Sequence, residues 1–424
     1  MKILQLLCVP LYGTGSGTYV RKLSERLVKS GHQVAIVTPD NRELKKIKIY
    51  EVKLPFMATF LGQPEHPEAK LYSKLSGEEL NDVQTAFESS IIKAVEDFRP
   101  DVIHVHHAAN LSWIANYLKS VYQIHYIITS HNTDVINAIL DKRYIPMTQD
   151  ALNRADVITA VSKNTKDRLL KIFGKGLPKM KSKTKVISCG VDTKFYPSRG
   201  SVDLANEKFN LKGKKVILYS GRVNIVKGVG ILIKTAKLFP EIAFVIMGNG
   251  EDLDQLKQLV KEIGVKNIIF TGYLGPDDQN LMCQLYRRAD IVAVPSIIVE
   301  GVPLSALEAM SSGALVIASN IGGIPTAISN LKNGILVKPK SVSALAEAIK
   351  FAYNNPRKVK KMVLKARNDV KTKFDWKVIS KKFEHAYNVA FQRGLKNRLT
   401  KKPSFVSEEE YMESKEYAKQ KIKL

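Results

Sequence analysis

Two glutamates stand eight residues apart in the segment Glu300-Gly-Val-Pro-Leu-Ser-Ala-Leu-Glu308. Ile291 to Pro295 reads as a buried strand, Pro303 suits the first turn of a helix and Gly313 its C-terminal stop, which puts Glu300 in a loop and Glu308 on the helix. Were that helix extended back to Glu300, the two carboxylates would be about 12 Å apart along the axis and roughly 80° apart around it. Such a separation rules out a shared proton or metal and suits the two ends of one elongated ligand. A helix N-terminus between them offers unpaired backbone N–H groups and the positive end of a dipole, a seat for a phosphate in the middle of that ligand. Sugar, diphosphate and ribose fit that order.

Other residues of chemical interest cluster at predicted strand ends. Arg222 and Lys227, in Gly221-Arg222-x4-Lys227-Gly228, follow a strand over Val216 to Ser220. That is the edge at which open α/β sheets bind ligands, and two cations there can neutralise a departing diphosphate. Alone, such a segment is more often a solvated loop. Gly13-Thr-Gly-Ser-Gly17 lies between a strand and a helix, where backbone can approach a ligand closely; with Thr18 in its sixth position it is not the dinucleotide fingerprint. His131 ends a strand within Ser130-His-Asn-Thr-Asp134, a position that is more often structural than functional. Strand alternation sends His104 and His106 to one face and His107 to the other, which argues against a common metal site.

The elements that must hold these residues alternate between strand and helix, the signature of an α/β chain with parallel sheets wrapped by helices. Strands are read over Ile3 to Val9, Gln33 to Thr38, Val102 to His106 and Tyr126 to Thr129. A second series covers Val216 to Ser220, Ala243 to Met247, Ile268 to Thr271, Ile291 to Pro295 and Leu315 to Ser319. Helices such as Tyr19 to Ser30 and Asn81 to Phe98 fall between strands of the first series. The division expected is an N-terminal domain over 1–195 and a C-terminal one over 205–375. A helix over 376–396 then packs back on the first domain, and a charged tail over 397–424 is an exposed helix or disordered.

A length of 424 residues with 45% apolar residues fits two globular domains. Met1 to Pro10 reads as the first buried strand rather than a signal peptide, and apolar runs reach only half the roughly 20 residues of a membrane span. Three scattered cysteines suggest neither disulfides nor a metal site, so a cytoplasmic setting is the default. The net charge of +26 calls for an anionic partner, surface or substrate, although a dispersed lysine surface serving solubility explains it equally well. Among binding partners, peripheral association with an anionic membrane on its inner face is preferred to nucleic acid.

The order of motifs resembles that of the retaining GT-B glycosyltransferases of family 4. It comprises Gly221-Arg222 with Lys227-Gly228, Met247-Gly-Asn-Gly250, Phe270-Thr-Gly272, Pro295-Ser296 and the Glu300 to Glu308 segment, preceded by Gly31-His32, Asp101-Val-Ile-His-Val-His106, Ser130 to Asp134 and Gly190-Val-Asp192. The resemblance, covering about residues 1–395, implies a GT-B fold of two Rossmann-like domains whose parallel sheets face a central cleft. It implies a nucleotide-sugar donor, transfer of a hexosyl or N-acetylhexosaminyl unit to an acceptor hydroxyl with retention, and no required metal or other cofactor. Arg222 and Lys227 would stabilise the diphosphate. Glu308 would accept from the ribose hydroxyls, and Glu300 would hold hydroxyls of the hexose. His131 would lie beside the transferred sugar. Gly15 is the best match for the glycine facing the donor phosphate, and Gly248 joins the donor-binding positions. Leu304 and Ser305 are the backbone donors of the phosphate seat, since Pro303 lacks an N–H. The acceptor is not specified. Its recognition would fall to N-domain loops, above all Leu54 to Gly77, which reads more readily as a plain core-covering loop. A nucleotide-sugar epimerase of related fold is the rival reading.

Overall fold

The computed structural model describes residues 1–61, 66–400 and 408–422. Contacts divide the chain into two units, Met1–Ile187 with Ser380–Leu424, and Ser188–Ile379.

The first unit is built on strands β1 (Lys2–Leu7), β2 (Gln33–Thr38), β3 (Ile47–Glu51), β6 (Val102–His106), β7 (Tyr126–Ser130), β8 (Val157–Ala160) and β9 (Thr184–Val186), with a two-stranded accessory of β4 (Ala58–Thr59) and β5 (Lys70–Leu71). The large sheet is parallel throughout, in the order β3-β2-β1-β6-β7-β8-β9. Its central strands are covered on both faces, which is why Ile3 to Leu7 and Val102 to His106 are buried without interruption, Gln5, His104 and His106 included. Helix starts are capped locally. Thr14 accepts from the N–H of Gly17 at 2.8 Å, and Ser76 and Glu79 form a reciprocal capping box. The last described helix, Glu408–Ile422, is charge-rich as the sequence indicates, but one face is covered. Ala418 is buried, and the Tyr417 hydroxyl donates to Asp101 at 2.9 Å.

The second unit carries β10 (Lys215–Ser220), β11 (Ile242–Met247), β12 (Ile268–Gly272), β13 (Ile291–Val294), β14 (Leu315–Ser319) and β15 (Ile335–Val337). These form one parallel sheet in the order β12-β11-β10-β13-β14-β15. Ile217, Phe244, Ile246 and Ile317 from the sheet pack with Leu345 and Ile349 from the helix Val342–Asn354. Each such fully buried side chain contributes about 1.5–3 kcal/mol. Among the described residues no helix is long and apolar enough to cross a membrane.

Both sheets reverse direction of winding in the same place. The chain leaves β1 towards β2 and later returns to its other side with β6; it leaves β10 towards β11 and returns with β13. A crevice opens outside the carboxyl ends of the strands at such a switch point. The candidate residues sit at these two crevices.

Candidate functional site

In the second unit the loops after β10 and β13 meet. Gly228 has φ +77°, and a Cβ on it would lie 1.9 Å from the carbonyl oxygen of Pro295, so only glycine allows the approach. That approach sets Lys227 against Glu300. The Lys227 Nζ pairs with Glu300 Oε2, and the Ser296 hydroxyl donates to Oε1. The carboxylate is 12% exposed and the ammonium 31%. The backbone on either side is held too. Lys227 N–H donates to Asn224 Oδ1 at 3.0 Å, and Gly323 N–H donates to the Glu300 carbonyl at 2.7 Å.

Gly248 enters from the neighbouring strand end, where the structure gives its glycine a backbone reason. With φ +138°, a Cβ there would stand 1.9 Å from the carbonyl of Gly221. Gly221 N–H donates to Met247 O at 3.0 Å and Val223 N–H to Asn249 O at 2.8 Å. Gly248 therefore shapes the loop that carries Arg222.

Glu308 lies on the helix Leu304–Ser312, which starts after Pro303 and stops at Gly313 with φ +88°. Its Oε1 accepts from the Tyr196 hydroxyl at 3.1 Å and its Oε2 from the Tyr286 hydroxyl at 2.6 Å. Burial raises the Glu308 carboxyl above its ordinary value, and the two hydroxyls pull it back part of the way. Glu300 and Glu308 thus have separate partner sets. Pro303 makes no side-chain cap bond. The N–H groups of Leu304 and Ser305, in the first turn, have no acceptor within the helix and are available to an anion.

At the first unit's switch point two readings of local structure need correction. Gly15 is the first residue of the helix Gly15–Lys29 rather than part of a loop, and a Cβ on it would meet nothing within 4 Å. The close approach falls on Gly17, whose Cβ would lie 2.5 Å from the carbonyls of Pro10 and Leu11. Alternation also fails at the end of β6. His107 has φ +73°, so the chain has left the strand, and its ring comes 4.7 Å from that of His131 while the His106 ring lies 5.3 Å from it. The histidines gather instead of separating. Among the described residues, even so, no group of three or more histidine, cysteine or acidic side chains could hold a metal.

His131 is placed by Asp134, which accepts the N–H of His131 at 3.1 Å and that of Ala108 at 2.7 Å and so ties the ends of β7 and β6 together. Burial pushes the His131 imidazolium down to about 3, so the ring is neutral at physiological pH and can offer a hydrogen bond but no charge. Of the connection Leu54 to Gly77, residues 62–65 lie outside the described residues. The rest covers core: the Phe60 ring lies 4.9 Å from that of Tyr72, whose hydroxyl donates to the Cys8 carbonyl at 3.0 Å.

Sequence reasoning missed Tyr196, Tyr286, Gln5 and Tyr387. Tyr196 follows the Gly190-Val-Asp192 motif by four residues and Ser296 lies inside the quoted Pro295-Ser296, but nothing local marks Tyr286, Gln5 or Tyr387.

Residues 13–195 match the family model for Glycosyltransferase Family 4 and residues 201–369 that for Glycosyl transferases group 1. A glycosyltransferase of Methanocaldococcus jannaschii is 27% identical over 89% of this chain and 95% of its own length. A D-inositol 3-phosphate glycosyltransferase of Corynebacterium jeikeium is 28% identical over 79% of this chain and 82% of its own. Among solved structures, a sucrose-phosphate synthase of Thermosynechococcus elongatus superposes with a TM-score of 0.76 at 21% identity, covering 93% of this chain and all of its own. HepE of Anabaena, crystallised with UDP, gives 0.71 at 16% identity over 92% of this chain and all of its own.

Proposed function

Because the chain belongs to the GT-B glycosyltransferases of family 4, group 1, we propose that it transfers a hexosyl or N-acetylhexosaminyl unit from a nucleotide-diphosphate sugar to an acceptor hydroxyl, with retention at the anomeric carbon. The observation that carries this reading is the convergence of Lys227, Glu300, Ser296 and the first turn of the helix Leu304–Ser312 at one switch point. Cations, a hydroxyl-binding carboxylate and free N–H groups are what a sugar diphosphate requires. Further support comes from relatives: HepE of Anabaena has been crystallised with UDP-glucose, which makes uridine donors the first to test.

In the proposed reaction the bond from the anomeric carbon to the phosphate oxygen breaks as the acceptor oxygen bonds to the same face of that carbon. The acceptor's proton passes to the leaving phosphate. Arg222, Lys227 and the N–H groups of Leu304 and Ser305 stabilise the growing negative charge on the diphosphate, a task that calls for no metal. Lys227 is held by Glu300, so binding the donor exchanges one anionic partner for another while the hexose hydroxyls take the place of the ammonium at Glu300. Glu308 accepts from the ribose and His131 meets a sugar hydroxyl. No enzymatic nucleophile is needed, unlike the paired carboxylates of retaining glycosidases about 5 Å apart. The basic surface supports a peripheral association with anionic membrane.

The test is incubation with a panel of nucleotide sugars and with sugar, inositol phosphate, lipid and organic-acid acceptors, read by mass spectrometry, with anomeric configuration assigned by NMR. A product of inverted configuration sinks the retaining reading. Sugar interconversion without acceptor would favour an epimerase, and failure to bind any nucleotide sugar would overturn the site.

A further inference from the structure

Behind His131 runs a continuous hydrogen-bonded line of buried polar side chains that the proposed reaction does not use. His131 Nε2 lies 3.1 Å from His106 Nδ1, and His106 Nε2 lies 2.7 Å from Gln5 Oε1. Gln5 Nε2 is 3.4 Å from the Tyr387 hydroxyl, which is 2.8 Å from His104 Nδ1. His104 Nε2 is 2.6 Å from Thr129 Oγ1, itself 2.6 Å from Thr159 Oγ1. Gln5, His104, His106, Thr129, Thr159 and Tyr387 are each 0% exposed. Burying so many polar groups is costly unless every donor finds an acceptor.

Burial, reinforced by neighbouring histidines, pushes His104 and His106 well below the ordinary imidazole range, so both are neutral. Each then has one N–H and one bare nitrogen. The line can therefore point only one of two ways, and the distances at Gln5 decide which. If the amide oxygen faces His106, the 2.7 Å contact is an ordinary N–H···O bond and the 3.4 Å contact a long bond from the amide N–H to the tyrosine oxygen. If the amide were reversed, the 2.7 Å contact would become an N–H···N bond, short for two nitrogens, and the contact to Tyr387 an O–H···O bond at 3.4 Å, further beyond its ordinary range than an N–H···O bond of that length. With the first arrangement, His106 carries its proton on Nε2 and presents a bare Nδ1, to which His131 must donate from Nε2. At the other end the Tyr387 hydroxyl donates to His104 Nδ1, His104 donates to Thr129, Thr129 to Thr159, and Thr159 to the Ile128 carbonyl at 3.5 Å. Each bond from His131 to the Ile128 carbonyl then has one donor and one acceptor.

We propose that Gln5 and Tyr387 are positioning residues that hold His131 in its Nε2-protonated tautomer, so that the ring offers a bare Nδ1 as hydrogen-bond acceptor for a substrate hydroxyl. Tyr387 lies 382 residues from Gln5 in sequence and reaches it from the helix Trp376–Thr400. The returning C-terminal helix thereby sets the proton position of a residue at the first sheet's switch point. That the hydroxyl belongs to the transferred sugar rests on the function proposed above; the tautomer does not.

The experiment is 15N NMR of the full-length protein labelled at histidine, with His131 signals identified by their loss in His131→Asn. In the wild type, His131 is expected to show a pyrrole-like Nε2 and a pyridine-like Nδ1. Gln5→Met removes the acceptor from His106 and leaves a bare nitrogen as the better buried alternative to an unpaired N–H, so the proton moves to Nδ1 of His106 and then of His131. Tyr387→Phe frees the Gln5 amide to turn and is expected to mix the two tautomers. In both variants turnover falls about tenfold, the worth of one hydrogen bond, with the KM for the donor little changed. A pyridine-like Nε2 on wild-type His131, or variants whose His131 keeps the wild-type pattern, overturns the proposal. Failure of the wild type to bind a nucleotide sugar would instead count against the proposed function, and the spectra are read without it.

Discussion

Glu308 is the residue at which stability and donor binding are expected to separate, the first nearly unchanged by a substitution that weakens the second. Replacing it with glutamine keeps its shape and removes its charge. The carboxylate accepts two hydroxyls, from Tyr196 at 3.1 Å and Tyr286 at 2.6 Å. Glutamine can accept only one and must donate to the other, which obliges one tyrosine hydroxyl to turn around. A hydrogen bond to a charged group is worth about 1.5–3 kcal/mol, and most of that is lost at one of the two contacts. Against this stands the cost of burying the charge. The folded protein holds the Glu308 carboxyl above its ordinary 4.5, chiefly through desolvation, so the charged form is net disfavoured where it sits even with both tyrosines donating. The two effects nearly cancel, and Glu308→Gln is expected to change stability at neutral pH by less than about 1 kcal/mol, in either direction. The pH dependence gives the sign. Because the folded value is raised, the wild type loses stability as pH climbs from the unfolded value of 4.5 through the folded one, and the variant does not. Donor binding should behave otherwise. An amide cannot accept from both ribose hydroxyls, and the loss of about 1.5–3 kcal/mol weakens nucleotide affinity roughly 10- to 150-fold. Thermal unfolding from pH 4 to 8 and calorimetric titration with nucleotide measure the two quantities separately. A variant destabilised by more than about 2 kcal/mol with unchanged nucleotide affinity would refute the reasoning and leave Glu308 as a support for its tyrosines.

Three further outcomes are expected. Lys227→Met should lower turnover by about 10²–10³, the usual consequence of losing one group that stabilises transition-state charge, while thermal unfolding shifts little because the ion pair with Glu300 is partly exposed; a steady-state rate within threefold of wild type would remove Lys227 from the mechanism. Gly248→Ala should destabilise the second unit by at least about 3 kcal/mol, since a Cβ would stand 1.9 Å from the Gly221 carbonyl at φ +138°, and urea denaturation followed by Trp and Tyr fluorescence reports it. If the basic surface meets lipid, co-sedimentation with phosphatidylserine vesicles should be strong at low salt and fade as ionic strength rises, whereas salt-independent binding would point to apolar contact.

How much of this was legible in the sequence follows from how local each feature is. Strand ends and helix starts were readable because the signals lie within a few residues: Pro295-Ser296 closes β13, Pro303 precedes a helix and Gly313 stops it with φ +88°. β15, with three residues, and β3, whose buried Ile47 and Tyr50 stand three apart with exposed Lys48 between them, fell below what periodicity detects. Gly15 was misplaced for a different reason. Three glycines within five residues look like a loop, but the Thr14 hydroxyl caps a helix that begins inside them. The partners of the candidate residues were out of reach altogether. Lys227 meets Glu300 across 73 residues, Tyr196 meets Glu308 across 112, and Tyr387 meets His104 across 283.

These long-range pairs differ in how far topology could have supplied them. Once the second sheet is given the order β12-β11-β10-β13-β14-β15, the segments after β10 and β13 become neighbours at its switch point, and Lys227 beside Glu300 follows from strand order and loop length. Tyr286 does not follow. It lies on the helix Gln279–Arg288, and its contact with Glu308 depends on how that helix rotates against the helix Leu304–Ser312, which neither motif nor strand order determines. The same holds for Tyr387, whose hydroxyl reaches His104 only because the helix Trp376–Thr400 presents that one of its faces to the first sheet. On the proposed reading the motifs carry the groups that touch substrate, while the groups that set their charge and tautomer are distributed wherever packing brings a hydroxyl or an amide within 3 Å or so of them. For this chain the second kind outnumbers the first at both Glu308 and His131, which is why substitutions at Tyr286, Gln5 and Tyr387 are the sharper tests of how the site works.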